Sequence, residues 1–158
     1  MRRADREVKE LNIIEEILNK CKTCHLALND SNFPYIVPLS YGHQFEGGVL
    51  TLFFHCAFEG KKIDILKVDP NVCFEMSSEG DPVHTETPCN SGYYYESIIG
   101  NGKVVFVDNI AEKCNALAHI MFQQSGQNVV FTNEQANTVC VFKIVTKEFT
   151  GKKKERPE

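Results

Sequence analysis

The spacing of apolar residues changes near residue 21, from a helical period to the alternation typical of β-strands. The first apolar residues share the spacing of one helix face: Ile13, Ile14, Ile17 and Leu18. Asn12 followed by Glu15 predicts a capping box at the start of this helix. The same pattern predicts that the helix ends near Lys20.

Beyond this helix, apolar residues alternate in short runs separated by turn-forming residues. The predicted strands are Thr23 to Leu28, Pro34 to His43, Val49 to His55, Val72 to Met76, Tyr93 to Val107 and Thr138 to Phe149. In the fifth run, Gly100 and Gly102 predict a bend or a bulge, because a missing side chain relieves crowding at such a point. The short connections between the runs predict antiparallel strands joined by hairpins.

Two further helices and one long loop interrupt the strands. A short helix is predicted from Gly60 to Val68, because Asp69-Pro70 stops it, and another from Asn109 to Gly126, with Asn109 and Glu112 as a capping box. The polar segment Ser77 to Gly92, with two prolines, predicts a loop. Six strands with few long crossovers argue against a doubly wound parallel sheet, and closure would remove exposed edges. We therefore expect a mainly β fold, a small antiparallel barrel with flanking helices.

Composition and charge narrow the class of protein. The chain has 158 residues, of which 42% are hydrophobic and 24% charged, and its formal net charge is -4. These values predict one globular domain over residues 1–158, with an N-terminal arm (1–10) and a charged C-terminal tail (151–158), and no nucleic-acid partner. No apolar run approaches the ~20 residues of a membrane span, and no signal peptide is evident, so we expect a cytoplasmic protein without a membrane partner. An odd cysteine count, seven, then favours free thiols.

The most informative stretch runs from Phe53 to Asp64. An apolar strand delivers His55 at its end, and a Gly-containing turn opens a helix whose first residues are Lys61 and Lys62. Helix N-termini present free N–H groups and a partial positive charge, to which two ammonium groups add. The stretch therefore predicts an anion-binding cradle, although a surface lysine pair on a short helix is the simpler interpretation of the residues alone.

A second stretch, Val37 to Tyr41, carries a proline inside a predicted strand. Pro38 cannot donate a hydrogen bond to a neighbouring strand, so it marks an edge strand or a bulge. The same irregularity frees neighbouring backbone groups, which could then hydrogen-bond a planar heterocycle.

Two cysteine-containing patterns have simpler explanations. Cys21 to His25 matches the C-x-x-C-H pattern of covalent haem attachment, but strand alternation sends Cys24 and His25 to opposite faces. His84 to Cys89 contains pieces of a zinc deaminase signature that overlap, and Gly92 stands where the second cysteine belongs. We therefore predict no metal site.

Five motifs in order carry a family resemblance: M-R-R-x-D-R-E at 1–7, V-P-L-S-Y-G at 37–42, F-H-C-A-x-E-G-K-K at 54–62, Y-E-S-I-I-G-N-G at 95–102 and F-T-G-K at 149–152. With these motifs the chain resembles the flavin-binding split-barrel proteins related to pyridoxamine 5′-phosphate oxidase, and among them the branch named for nitroimidazole resistance. The resemblance implies a six-stranded Greek-key split barrel that forms a homodimer with FMN in two interface clefts.

The resemblance also implies which positions contact FMN: Val37, Pro38, Leu39, Ser40, Tyr41, His55, Cys56, Ala57, Gly60, Lys61, Lys62, Tyr95 and Ser97. Lys61 and Lys62 would hold the phosphate with backbone from Ala57 to Gly60, and replacing both lysines by Ala is expected to weaken FMN retention. The strand around Pro38 would meet the ring edge, and His55 would face the flavin as the candidate catalytic residue. Tyr95 and Ser97 would reach the same cleft, from the same chain or from the partner.

The expected function is that of an FMN-dependent oxidoreductase, a nitroreductase-like enzyme. Its small-molecule partners would be a reduced nicotinamide, or another donor, and an acceptor such as a nitroimidazole or nitroaromatic compound. One alternative is a flavin- or haem-binding storage protein, with His55 or His25 as an iron ligand. Another is an oxidase of pyridoxamine 5′-phosphate, which is less favoured because the core motifs contain no second basic cluster for the substrate phosphate.

Overall fold

The computed structural model describes residues 3–154. The described helices are α1 (Leu11–Lys20), α2 (Lys61–Val68), α3 (Ile110–Ser125) and α4 (Asn133–Ala136), with short 3-10 turns at Ala4–Arg6 and Pro88–Asn90. The described strands are β1 (Glu7–Val8), β2 (Thr23–Asn29), β3 (Pro34–Ser40), β4 (Gly42–Glu46), β5 (Val49–Cys56), β6 (Asn71–Val83), β7 (Gly92–Phe106), β8 (Cys140–Thr146) and β9 (Phe149–Lys154). The predicted mainly β architecture with flanking helices is confirmed.

All strand pairs in the sheet are antiparallel, in the order β3-β2-β6-β7-β8-β5-β4, and β9 pairs with β7 and β1. The two edge strands, β3 and β4, follow each other along the chain and are joined by Tyr41 alone. The chain therefore passes from one edge of the rolled sheet to the other without a ladder between them. This gap is the split of a split barrel.

Two predicted strands are each divided in two. The run Pro34 to His43 was expected to be one strand, but β3 pairs with β2 and β4 pairs with β5, with the change at Tyr41. The run Thr138 to Phe149 likewise divides into β8 and β9, which pair with different neighbours. In both places an apolar pattern continues while the hydrogen-bonding partner changes.

The predicted loop from Ser77 to Gly92 is wrong over half its length. Residues 77–83 continue β6 and pair with the first residues of β7, with a register shift between Glu79 and Pro82. Only residues 84–91 connect the two strands. The apolar pattern does not predict this ladder, because its side chains are mostly polar and bury little apolar surface. Backbone hydrogen bonds hold the two strands together.

The glycines of β7 mark a change of partner rather than a bulge. On one side β7 pairs with β9 as far as Gly100, and from Val104 onward it pairs with β8. A side chain at Gly100 would collide with Phe74 and Phe149, and one at Gly102 would collide with Ile144. Glycine is required at both positions because these neighbours pack directly against the strand.

Both ends of the described chain join the sheet. In β1, Glu7 and Val8 lie opposite Lys152 and Gly151 of β9. Residues 151–154 of the expected C-terminal tail thus belong to a strand, while 155–158 lie outside the described residues. Of the expected N-terminal arm, the described part includes the 3-10 turn and β1.

The predicted helices α2 and α3 are confirmed, although only the Asn109 half of the Asn109–Glu112 box forms within residues 3–154, and the signal at the start of α1 is wrong. Helix α1 begins at Leu11 with Glu10 as its N-cap residue, and no side chain caps it, so the predicted Asn12–Glu15 box does not form. The Asn109 side chain accepts a hydrogen bond from the Glu112 N–H and starts α3, which ends at Gly126 with a positive φ of 72°. Within residues 3–154, none of the helices has the length and hydropathy of a transmembrane segment.

Two apolar clusters stabilise the fold. The larger lies inside the rolled sheet, where Phe54 stacks on Phe142 with ring centroids 5.2 Å apart. The smaller lies between the outer face of β5 and β8 and the helices α3 and α4, and includes Phe53 and Leu117. Helix α3 therefore covers the sheet beside the end of β5, where His55 lies.

Candidate functional site

A cavity of about 450 Å³ lies where the end of β3 meets the end of β5. Gly42, the first residue of β4, lies opposite Phe53 of β5. Because the two strands are antiparallel, Ser40, two residues before Gly42, lies beside His55, two residues after Phe53. The other lining residues come from α3, α4 and the segments that flank α4: Leu117, Ile120, Met121, Gln124, Phe131, Gln135, Thr138 and Val139. The volume is that of an ordinary small-molecule site.

Two polar side chains in this cavity have no partner in the protein. Within residues 3–154, neither the His55 ring nor the Ser40 hydroxyl makes a side-chain hydrogen bond, and both residues are exposed. The surrounding protein lowers the pKa of His55, because partial burial disfavours the charged ring. The ring is therefore neutral at pH 7 and can offer one N–H donor and one acceptor nitrogen.

The polar groups of the helical wall are already engaged. Gln124 donates its side-chain amide to the carbonyl oxygens of Lys22 and Tyr41, at 3.0 and 3.1 Å. Gln135 accepts from the Thr132 N–H at 2.9 Å in a capping box that starts α4. The cavity thus combines an apolar, fixed wall with two free polar groups, a combination suited to a largely apolar ring with polar edges.

The turn after β5 and the start of α2 make up the stretch for which the sequence predicts an anion cradle. Gly60 has a φ of 130°, which only glycine adopts easily, and its carbonyl accepts from the N–H groups of Ile63 and Asp64. No side chain caps α2, and among the described residues no acceptor faces the N–H groups of Lys61 and Lys62. These two donors and the positive end of the helix are available to an anion.

The two predicted phosphate ligands differ in their surroundings. The Lys61 ammonium lies 2.8 Å from the Asp30 carboxylate and 4.7 Å from the centre of the Tyr35 ring. Its hydrogen bond lowers the pKa of Asp30. Lys62 is half-buried, and no carboxylate within the described part of the chain lies within 4 Å of its ammonium. Lys62 is therefore the free cation of the cradle.

Because side chains alternate between the two faces of β3, the predicted ring-edge residues lie on opposite sides of the strand. Pro38 and Ser40 are exposed, whereas Val37 and Leu39 are half-buried against the main core. Pro38 lies on an edge strand, as its missing N–H predicts, opposite His25. Side-chain contact with a ligand on the open side is thus confined to Pro38 and Ser40.

Tyr41 is fully buried, and its side chain does not line the cavity. Its hydroxyl donates towards the carbonyl of Leu18 at 2.7 Å and lies 3.2 Å from that of Cys21. Burial raises the pKa of this phenol. Its backbone carbonyl is also engaged, by Gln124.

Tyr95 and Ser97 lie on β7 and do not line this cavity. The Tyr95 hydroxyl accepts from Arg6 at 3.0 Å, and the Lys152 ammonium lies 5.4 Å from the ring centre. Burial alone would raise the pKa of Tyr95, but these two cations lower it below its ordinary value. Within one chain, then, the predicted site falls into two separate groups.

The C-x-x-C-H segment has the geometry that strand alternation predicts. Cys24 is fully buried, whereas His25 is exposed on the other face of β2 and lies 3.1 Å from Glu75. Cys21 is buried at the end of α1, and burial raises the pKa of its thiol to about 11. The thiols and the imidazole do not share one site.

Sequence reasoning missed the helical wall of the cavity. Leu117, Met121 and Gln124 share one face of α3, for which the sequence predicts only a helix. Phe131 lies outside any helix or strand, where no periodic pattern marks it. The long-range contact of α3 with β5 creates this wall, and no local motif encodes that contact.

Comparison with solved structures supports the fold. A protein of Bacteroides thetaiotaomicron, provisionally assigned as a 5-nitroimidazole antibiotic resistance protein, is 29% identical with a TM-score of 0.78, over 92% of this chain and 85% of that one. The flavocytochrome Anf3 of Azotobacter vinelandii is 16% identical with a TM-score of 0.79, over 99% and 73% of the two chains. An FAD and haem binding protein of Mycobacterium smegmatis is 12% identical with a TM-score of 0.80, over 97% and 76%. The last two similarities concern the fold alone.

A comparison with curated proteins found no match. The sequence model of the pyridoxamine 5′-phosphate oxidase family matches residues 11–153, which include β2 to β8 and all four helices. The open antiparallel sheet agrees with the split barrel that the motifs imply. The chain therefore belongs to the pyridoxamine 5′-phosphate oxidase family of split-barrel proteins.

Proposed function

We propose that the protein binds FMN at the end of β5 and acts as a reductase of small aromatic acceptors. The phosphate would lie at the start of α2, where Lys62 and two backbone N–H groups are free. The ring system would lie towards Ser40 and His55. The observation that carries this proposal is the position of His55, which joins the cation-bearing turn to an apolar cavity.

The donor set fits an anionic, largely apolar cofactor. A flavin accepts a hydride and passes on one or two electrons, chemistry that ordinary side chains cannot supply. Lys62 would neutralise phosphate charge, while Pro38 and the α3 residues would exclude water from one side of the ring. His55 would hold or donate a proton at the acceptor.

A nitroheteroaromatic acceptor is the class that the comparisons favour. The neighbour at 29% identity is assigned, provisionally, to resistance against 5-nitroimidazole antibiotics. Leu117, Met121 and Phe131 give the cavity an apolar wall against which a planar ring would pack. A reduced nicotinamide would be the electron donor.

Absorption spectra of the purified protein, and of the protein mixed with FMN or haem, test the proposal. We expect a two-band flavin spectrum that bleaches when NADH or NADPH is added without oxygen. An intense Soret band without flavin absorption would contradict it and favour a haem-binding protein. Flavin absorption that persists after NADH and after NADPH are added would favour flavin storage.

We expect His55→Ala to retain FMN and to lower kcat/KM for a nitroimidazole by about tenfold or more, because a positioned acid contributes at least that much. The lowered pKa of His55 keeps the ring neutral above pH 6.5, so wild-type kcat/KM should rise as the pH falls below 6.5. The variant should lose this rise. His84→Ala, in the exposed connection between β6 and β7, is the control. Unchanged turnover in His55→Ala would remove His55 from the mechanism.

We also propose that two chains pair through the open face of β3, β2, β6 and β7. Ile36 and Ile99 are 61% and 50% exposed and lie on this face, where a second copy would cover them. Such a dimer would bring Tyr95 and Ser97 of one chain towards the cavity of the other. Light scattering should give twice the chain mass of 17.9 kDa, and Ile99→Glu should give monomers, whereas a monomeric wild-type protein would contradict the pairing.

A further inference from the structure

We propose that Cys56 and Cys140 form a redox-active dithiol that closes to a disulfide when the protein meets hydrogen peroxide. They are the last residue of β5 and the first of β8, and they lie directly opposite each other in the ladder. Opposite residues point to the same face, with Cα atoms about 4.5 to 5.5 Å apart. A disulfide spans Cα separations of about 4.4 to 6.8 Å, so the backbone is already placed for the bond.

The surroundings of the pair suit reaction with a small oxidant. Both side chains are half-buried, so a small oxidant can reach them. Burial, and then the proximity of Cys140, raise the pKa of Cys56 to about 11, although the Lys62 charge opposes this. Cys56 is therefore a protonated thiol at neutral pH.

The other five cysteines lack this arrangement. Cys21 and Cys24 are buried, and Cys114 is directed towards the Thr132 carbonyl. Cys73 and Cys89 are exposed without a cysteine opposite them. Within the described residues, Cys56 and Cys140 alone are cysteines paired directly across a ladder.

The reaction consumes one peroxide and two thiols. The thiolate of one of the two cysteines attacks one peroxide oxygen and breaks the O–O bond, and the departing hydroxide takes up the proton that this thiol released, as water, which leaves a sulfenic acid. The sulfur of the other cysteine then displaces the hydroxyl from this sulfenic acid, and its proton leaves with that hydroxyl as a second water. The sulfurs lose two electrons in total, which reduce the peroxide. The bond ties β5 to β8 immediately before the turn that leads to α2.

Thiol mapping of the full chain tests the dithiol without reference to flavin. The reduced protein is exposed to hydrogen peroxide, its remaining thiols are blocked with N-ethylmaleimide, and peptides are identified by mass spectrometry. Chymotrypsin cleaves after Phe54, which separates Cys56 from Cys24. It also cleaves after Phe131, which separates Cys140 from Cys114. We expect a Cys56–Cys140 cross-linked peptide that reductant removes, and two fewer blocked thiols among the seven.

Matched variants sharpen the result. Cys89→Ser should keep the cross-link, whereas Cys140→Ser should abolish it and leave no disulfide at Cys56. Full alkylation of Cys56 after peroxide treatment would overturn the proposal. A disulfide from Cys56 to any other cysteine, or to a second chain, would overturn it as well. Because mapping of the wild-type chain decides the question, a variant that fails to fold leaves the test intact.

Discussion

Gly42→Ala should prevent stable folding or cost more than about 3 kcal/mol of unfolding free energy. A Cβ atom at Gly42 would collide with the backbone carbon of His119 and the backbone nitrogen of Ile120 and would lie 2.7 Å from the His119 carbonyl oxygen. These are backbone atoms of α3, so no side-chain rotation relieves the collision. The helix must move away from β4, which would also displace one wall of the cavity.

Gly92→Ala is the matched control, since Gly92 is also a strand glycine. The nearest atom to a Cβ there is the Lys154 ammonium at 3.5 Å, the end of a flexible side chain. We expect its stability to stay within about 0.5 kcal/mol of wild type. Urea unfolding followed by circular dichroism, at one protein concentration and without added cofactor, compares the three proteins. If Gly42→Ala had the same unfolding free energy as wild type, α3 would not pack against β4 at this distance.

Gln123→Ala should cost about 2 to 4 kcal/mol of unfolding free energy. Gln123 is 4% exposed, and its side-chain amide donates to the carbonyls of Leu18 and Cys21, at 2.8 and 2.7 Å. These carbonyls close the C-terminal turn of α1, where no helical N–H reaches them. The substitution leaves buried acceptors with fewer donors and also opens a cavity.

Gln127→Ala provides the control for this change, because Gln127 follows α3 and is exposed. Its unfolding midpoint in urea should match that of wild type. If Gln123→Ala unfolds at the same urea concentration as Gln127→Ala, the link between α3 and the end of α1 contributes nothing to stability.

Local signals account for the parts of the fold that the sequence predicts well. The apolar residues of β5, the glycine at position 60 and Asp69-Pro70 act over a few residues, and the strand, turn and helix that they predict are present. The division at Tyr41 was not predicted, because Pro38 and Gly42 on either side of it lie within one continuous apolar pattern. It depends on the burial of Tyr41 against α1 and on pairing with distant strands.

The same distinction holds for the candidate site. His55 and the α2 start were predictable because they lie within one contiguous stretch. The ion pair between Lys61 and Asp30 joins residues from different elements, so the sequence could not separate Lys61 from its neighbour Lys62. The wall formed by α3 likewise depends on how the helix packs across the sheet.

We propose that the start of α2 and Lys62 hold the phosphate of FMN. Fluorescence titration of the cofactor-free protein with FMN and with riboflavin, which lacks the phosphate, tests it most directly. We expect wild type and the Lys67→Ala control, on the exposed end of α2, to bind FMN at least about tenfold more tightly than riboflavin. Lys62→Ala should lose most of that preference while its riboflavin affinity stays unchanged. Equal affinity of the wild-type protein for the two flavins, or binding of neither, would show that the start of α2 does not hold the phosphate.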